Sequence, residues 1–172
     1  MAQTDLRRYG TEERLGKMDL DLITVTPTIE TSTIDANDVL FNPIEIPYAT
    51  SVPGGRSLLH SVCLVDTTDT ATDAGVAIDL VFTKSATNLG TLDAAVSGAD
   101  SVMEDILGVV SIVADDYVDL INANVATKTS IGLTLTSSAD TTTSCYVAGI
   151  IRETGTARDA DAILLKIGLL KD

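Results

Sequence analysis

Apolar side chains alternate with polar or small ones along several short stretches of the chain. The clearest stretch is residues 76–82, where the even-numbered positions are Val, Ile, Leu and Phe. A two-residue period places successive side chains on opposite faces of a β-strand. One face of this stretch is therefore predicted to join the core, and the other face is predicted to be at least partly exposed to solvent. The same alternation recurs over residues 131–136 and 163–169, and the three stretches together predict β-sheet.

Six further strands are predicted where short apolar stretches are bounded by turn-forming residues. They are residues 23–29, 39–46, 57–65, 109–113, 117–121 and 145–151. The pattern predicts one short helix, over residues 100–107, with Asp100 at its N-cap. Because so few helical residues cannot supply the crossovers of a parallel sheet, we predict an all-β fold. The expected architecture is an antiparallel, jelly-roll-like β-sandwich with at most one short helix.

The character of the chain changes near residue 20. Residues 1–20 hold four basic and four acidic side chains and no sustained apolar face, whereas strand patterns begin at residue 21. We predict an N-terminal extended arm over residues 1–20 and one β-sandwich domain over residues 21–172. The arm carries residue types that are enriched at protein interfaces, and the alternative is a frayed terminus without a role. The predicted partner-binding residues are Arg7, Arg8, Tyr9 and Arg14.

Composition narrows the classes of function. The chain is 45% hydrophobic and carries a formal net charge of −14, all of it on residues 21–172. Such a charge repels phosphate backbones and anionic membrane surfaces, so we expect neither nucleic acid nor membrane as a partner. Residues 85–127 contain seven acidic side chains and no Lys or Arg, which predicts an acidic surface. No apolar run is long enough for a secretory signal or a membrane span, and we expect a soluble protein.

Catalytic chemistry has little support in the sequence. His60 is the single histidine, and it lies in a predicted strand without a nucleophile motif around it. Cys63 and Cys145 are too few to complete a zinc site with it. They are predicted to be buried, reduced thiols, and the sequence does not determine whether the two side chains lie in contact. Acidic neighbours such as Glu104 and Asp105 leave acid–base chemistry open, because counting does not establish geometry. We expect no enzymatic activity and no cofactor.

One loop offers oxygen ligands for a metal ion. Residues 66–73 are rich in Asp and Thr, and Asp66, Asp69 and Asp73 form a weak candidate site for Ca²⁺. The loop lacks the spacing and the terminal Glu of an EF-hand. The alternative is a solvated connection in which Asp and Thr side chains favour turns.

Residues 57–172 resemble a family of small structural proteins of tailed bacteriophages, the capsid decoration or cement proteins. The resemblance is carried by packing and turn patterns at residues 61–66, 78–82, 88–90, 106–110, 115–119, 124–128 and 164–172. It implies a jelly-roll-like sandwich, made in the host cytoplasm and trimeric on the exterior of the virion capsid. Its implied partner is the major capsid protein, which the arm would grip by protein–protein contacts.

Two other classes of function are weighed against this one. A carbohydrate- or receptor-binding sandwich, on a phage fibre or a cell surface, would use the same fold. It should present exposed aromatic side chains or a firm calcium loop, and the chain has four Tyr, two Phe and no Trp. An enzyme would need acidic side chains that converge in a pocket.

Overall fold

The computed structural model describes residues 19–29, 31–68, 75–138, 141–154 and 158–171. These residues form nine strands, one turn of α-helix and one 3-10 turn. The strands are β1 (Asp19–Val25), β2 (Val39–Ile46), β3 (Arg56–Asp66), β4 (Ile78–Thr83), β5 (Ile106–Ile112), β6 (Tyr117–Asp119), β7 (Asn124–Thr136), β8 (Cys145–Ile151) and β9 (Ile163–Lys171). The helical turn is α1 (Asp100–Met103), and the 3-10 turn is Ala114–Asp116. The predicted all-β class is confirmed.

The strands form two antiparallel sheets with jelly-roll connectivity. The five-stranded sheet has the order β1-β9-β3-β7-β6, and the four-stranded sheet has the order β2-β8-β4-β5. The chain therefore pairs β1 with β9, β2 with β8, β3 with β7 and β4 with β5, as one long hairpin rolled into a sandwich. The short strand β6 adds an outer edge beside β7. The predicted jelly-roll-like sandwich is confirmed.

The main core lies between the inner faces of the two sheets. Phe41 and Phe82 are its largest side chains, and both are fully buried. Gly149 on β8 lies directly against the Phe41 ring, because a Cβ atom at Gly149 would stand 2.2 Å from Phe41 Cε1. The absence of a side chain at Gly149 therefore makes room for the aromatic ring.

A bulge in β3 changes which side chains face this core. Leu59 is fully buried, and the next fully buried positions are Val62 and Leu64, because the register shifts between Leu59 and Ser61. Relative to β9 the extra residue is His60, whereas on the other side of β3 three residues of β7, 130–132, lie opposite His60 alone. Since side-chain direction alternates along a strand, one additional residue reverses the faces of everything that follows. Strict alternation from Leu59 would have placed residues 61, 63 and 65 inside.

The predicted helix over residues 100–107 is wrong in its extent and its cap. The helical turn ends at Met103, and Ile106 begins β5, where it pairs with Thr83 of β4. The cap position is Ala99, and no side-chain hydrogen bond caps the turn, so Asp100 is the first helical residue instead. Four residues of helix offer few internal hydrogen bonds, whereas pairing beside β4 satisfies the backbone over seven residues.

The prediction that one face of residues 76–82 is partly wet is also wrong. All six residues of β4 are buried. The outward-facing Val81 packs in a second, smaller apolar cluster with Leu89 and Val102, which belong to the connection between β4 and β5. This connection folds back over the outside of the four-stranded sheet. Strand β4 is thus covered by the core on one side and by its own following loop on the other.

The ends of two strands differ from the predicted ones in ways that matter for the surface. The first strand begins at Asp19, so the sheet includes two residues that the sequence pattern assigns to the arm. Strand β6 ends at Asp119, and the remainder of the predicted strand 117–121 forms the turn into β7.

Candidate interaction surfaces

Asp66, the first residue of the candidate calcium loop, is held in a buried ion pair. Its Oδ2 lies 3.1 Å from Nε of Arg158, and the two side chains are only 5% and 3% exposed. Its Oδ1 accepts a hydrogen bond from the backbone N–H of Thr68 at 3.0 Å. Both carboxylate oxygens are therefore engaged within the protein. Asp69 and Asp73 lie outside the described residues, so the calcium site stays a prediction.

The predicted partner-binding residues of the arm, Arg7, Arg8, Tyr9 and Arg14, also lie outside the described residues. Their role stays a prediction. The described chain begins at Asp19, which opens β1 on one edge of the five-stranded sheet. Whatever the arm contacts, it therefore leaves the body from that edge.

The nucleophile candidates do not assemble into a catalytic group. Both cysteines are free, and they lie in different sheets, Cys63 on β3 and Cys145 on β8. Cys145 is buried, and this burial raises the pKa of its thiol to about 12, so the thiol stays protonated and unreactive at neutral pH. Cys63 is half-buried, so the prediction of two buried thiols holds for Cys145 alone. His60 lies half-buried at the bulge of β3.

Three of the described acidic side chains pair with lysines, and two of them, Asp105 and Asp116, have a lowered pKa. Asp105 accepts a hydrogen bond from the Ser85 hydroxyl and pairs with Lys84 at 2.9 Å, and these contacts lower the pKa of Asp105. Asp116 pairs with Lys128 at 2.6 Å and also accepts a backbone N–H, which lowers the pKa of Asp116. A general acid near neutral pH requires a raised carboxyl pKa. These two carboxylates therefore suit a structural role.

The described residues contain no cluster of three or more His, Cys, Asp or Glu side chains placed to hold a metal ion. Within the same residues, no helix is long and apolar enough to cross a membrane. The aromatic side chains are mostly committed to packing, since Phe41 and Phe82 are buried and the hydroxyl of Tyr117 donates to the Val76 carbonyl oxygen at 3.0 Å. Among the large apolar or aromatic side chains that the structure describes as exposed, Tyr48 is the single aromatic one. One exposed tyrosine offers little surface on which a sugar ring can stack.

The outward side of the five-stranded sheet is unusually apolar for a face that is open to solvent. Strand pairing arranges sixteen positions in four rows, and we call them the outer face. The rows are Leu20, Leu170, Leu58 and Thr134; then Leu22, Gly168, Ser61 and Thr129; then Thr24, Lys166, Cys63 and Thr127; and finally Leu164, Val65, Val125 and Val118. The first and last rows are almost wholly aliphatic. Antiparallel sheets of this kind normally turn polar residues outward.

The outer face is also free of negative charge. The chain has 25 acidic residues, yet none occupies any of these sixteen positions, and Lys166 is the one charged side chain among them. The bulge at His60 contributes to this property, because it turns Ser61, Cys63 and Val65 outward. Leu20 and Leu22 on the edge strand β1 are 60% and 66% exposed, and Val118 on the opposite edge is 60% exposed. Exposed rows of aliphatic side chains on a sheet are typical of an interaction site.

A second apolar feature, the hairpin tip, consists of Leu120 and Ile121 in the turn between β6 and β7. Ile121 is 90% exposed and has a positive φ of 75°. This left-handed conformation is unfavourable for a β-branched residue. The turn is fixed by hydrogen bonds from Ile121 N–H to Asp119 Oδ1 at 2.7 Å and from Leu120 N–H to the Ala123 carbonyl at 2.9 Å. The fold therefore holds a strained, fully exposed isoleucine that adds nothing to the core.

We expect the substitution Ile121→Asn to stabilise the isolated protein by about 1 kcal/mol, because Asn tolerates positive φ and no buried area is lost. The measurement is the urea midpoint of unfolding at equal slope. Leu120→Asn is the matched control, since Leu120 is 58% exposed and is not among the residues with positive φ; it should give no gain. An unchanged or lower midpoint for Ile121→Asn would show that the turn is not strained.

Neither surface was predicted from the sequence, although β9 carried a signal for one of them. Its sequence, ILLKIGLLK, is apolar at both odd and even positions, which is the pattern of a strand covered on both sides. No protein-family model matches the chain, and no curated protein gives a significant match to it.

Proposed function

We propose that this protein is a capsid decoration, or cement, protein, which binds the outer surface of a tailed-phage head and stabilises it through protein–protein contacts. The observation that carries the proposal is the outer face, a side of the five-stranded sheet that has two aliphatic rows and contains no carboxylate among its sixteen positions. A protein of net charge −14 has enough acidic side chains to make such a face polar. A face without them suits a molecule that functions in an assembly.

The sequence resemblance and the chemistry of the described residues support the same proposal. The jelly-roll sandwich is the fold that the resemblance implies. Among the described residues the two cysteines lie in separate sheets, and three of the carboxylates pair with lysines, so these candidate groups form no catalytic constellation. A carbohydrate-binding module gains little support, because Tyr48 is the one strongly exposed aromatic side chain among the described residues.

In this proposal the contacts with the major capsid protein come from two places. The arm supplies Arg7, Arg8, Tyr9 and Arg14, whose guanidinium groups form forked hydrogen bonds with carboxylates or backbone carbonyls. The hairpin tip supplies Ile121, which inserts into an apolar recess of the shell. Several weak contacts of this kind gain strength when copies joined in an oligomer, implied to be a trimer, engage the lattice together.

The experiment is binding of the purified full-length protein to expanded phage capsids that lack it. Saturable binding at a fixed ratio to the major capsid protein is expected. Replacing Arg7, Arg8 and Arg14 together with Ser should weaken binding about tenfold or more, since each tenfold corresponds to about 1.4 kcal/mol. Arg56→Ser, a change at an exposed arginine of the body, is the matched control and should bind as the wild type does.

The variant Ile121→Asn adds a sharper readout. It should weaken capsid binding while raising the stability of the free protein, and a purely structural role would move both in the same direction. If the wild-type protein shows no saturable binding to any expanded capsid, the decoration proposal is wrong, and screening against glycans becomes the next step.

A further inference from the structure

We infer that the outer face is covered by a second copy of this chain, so that it is the contact between copies within the oligomer. This inference rests on the proposed function and names the partner of the surface that carries it. The shell contacts of the proposal lie at the arm and the hairpin tip. The arm leaves the sheet at β1 and the hairpin tip adjoins β6, so these contacts lie at opposite edges and leave the face between them for another partner.

The distribution of charge favours a second copy. Two molecules that each carry a net charge of −14 repel one another, and any carboxylate trapped between them pays a desolvation cost without a cation to offset it. The outer face avoids the desolvation cost and lessens the repulsion, because its sixteen positions contain no Asp or Glu. A strongly basic partner would instead be matched by acidic side chains on the contact surface. The face thus has the composition that self-association of an acidic chain requires.

The single lysine is compatible with this contact. Lys166 lies in the third row between Thr24 and Cys63, and its neighbours are polar or small. Its aliphatic stem can lie along the face while the ammonium group reaches water at the rim. The first and last rows, which include Leu58 and Val65, supply the aliphatic side chains that pack against the neighbour.

The size of the face is sufficient. Strands lie about 4.8 Å apart, and residues on one side of a strand repeat about every 6.6 Å, so the sixteen positions cover roughly 500 Å². Contact over this area buries roughly 1,000 Å² on two copies together, about the size expected of a specific interface.

The test is the mass of the full-length protein in solution, measured by sedimentation equilibrium across a wide range of concentrations. The wild type should form a discrete oligomer of the 18.0 kDa chain. The double variant Leu22→Glu, Val118→Glu should be monomeric, because it places carboxylates at two edges of the outer face. Both positions are at least 60% exposed in the single chain, so the fold should tolerate the change.

Val52→Glu is the matched control, since Val52 is 59% exposed and lies in the turn before β3 instead of on the outer face. It should keep the wild-type mass. Circular dichroism and thermal unfolding confirm that each variant is folded. A wild-type protein that stays monomeric throughout, or a folded double variant with the wild-type mass, would overturn the inference.

A second measurement needs no substitution. Cys63 lies in the third row of the outer face, whereas Cys145 is buried in the core. Alkylation of Cys63 in the wild type should slow several-fold as the protein concentration rises through the range in which the oligomer forms. A labelling rate that does not depend on concentration would contradict the proposed contact.

Capsid binding separates this inference from the proposed function. If the wild type associates through the outer face but never binds a capsid, the inference stands and the decoration role fails. If the wild type binds capsids and the double variant keeps the wild-type oligomeric mass, the role stands and the inference fails.

Discussion

Replacing Arg158 with Met is expected to lower the free energy of unfolding by about 4 kcal/mol, because the carboxylate of Asp66 would be left buried without a cation. The two side chains are 3% and 5% exposed, and Arg158 Nε lies 3.1 Å from Asp66 Oδ2. Methionine fills a similar volume but donates no hydrogen bond. In a protein of this length the change corresponds to a melting temperature lower by about 10 °C, measured by differential scanning calorimetry.

The matched control is Lys84→Met, which breaks the ion pair between Lys84 and Asp105. The Lys84 side chain is 43% exposed, so water replaces the lost partner and the cost should be below about 1 kcal/mol. The double variant Asp66→Asn, Arg158→Met should recover part of the stability that Arg158→Met loses, because it removes the buried charge. Equal losses of stability for the two single Met variants would show that burial does not increase the contribution of the Asp66–Arg158 pair to the free energy of unfolding.

Gly149→Ala is expected to lower the free energy of unfolding by about 3 kcal/mol, because its Cβ would overlap the buried ring of Phe41. The added atom would stand 2.2 Å from Cε1 and 2.7 Å from Cδ1 of a ring that is 1% exposed. Neither the ring nor the strand that carries it can move without disturbing the rest of the sheet. Chemical denaturation at equal slope measures the loss.

A double-mutant cycle identifies the cause of this loss. Phe41→Leu removes Cε1 and Cζ, two of the three ring atoms that the new methyl group would meet, so adding Gly149→Ala to it should cost less than in the wild type. Gly108→Ala is the matched control in the same sheet. Its Cβ would meet the end of the half-buried Leu133 side chain, which can rotate away, and the cost should be less than half as large. Additive costs for Gly149→Ala and Phe41→Leu would refute the packing explanation.

The candidate surfaces illustrate what a linear pattern misses. The sequence of β9 is apolar at successive positions, which indicates cover on both sides, but it does not say what covers the second side. In β4 the same kind of pattern is explained by the chain's own loop, which brings Leu89 and Val102 onto the sheet. In β9 the described residues leave the second side open. The two cases differ in whether another described segment of the chain folds over the outer side of the strand.

Local features of the sequence determined that the protein is built of β-strands. Strands β2 (Val39–Ile46) and β8 (Cys145–Ile151) have the predicted boundaries, because an apolar stretch bounded by turn-forming residues is a local signal of a strand. The same local logic predicted an antiparallel sandwich, since no helices were available to connect parallel strands. The calcium loop and the arm were also derived from local composition, and both stay predictions.

Tertiary structure alone decided the rest. The order of strands, the ion pair between Asp66 and Arg158, which are 92 residues apart, and the close approach of Gly149 and Phe41 all join segments that carry no local signal for each other. The bulge at His60 then reversed the faces of the residues after it and so created the acid-free outer face. Long-range pairing depends on which apolar faces bury one another most completely, and that is a property of the whole packed chain.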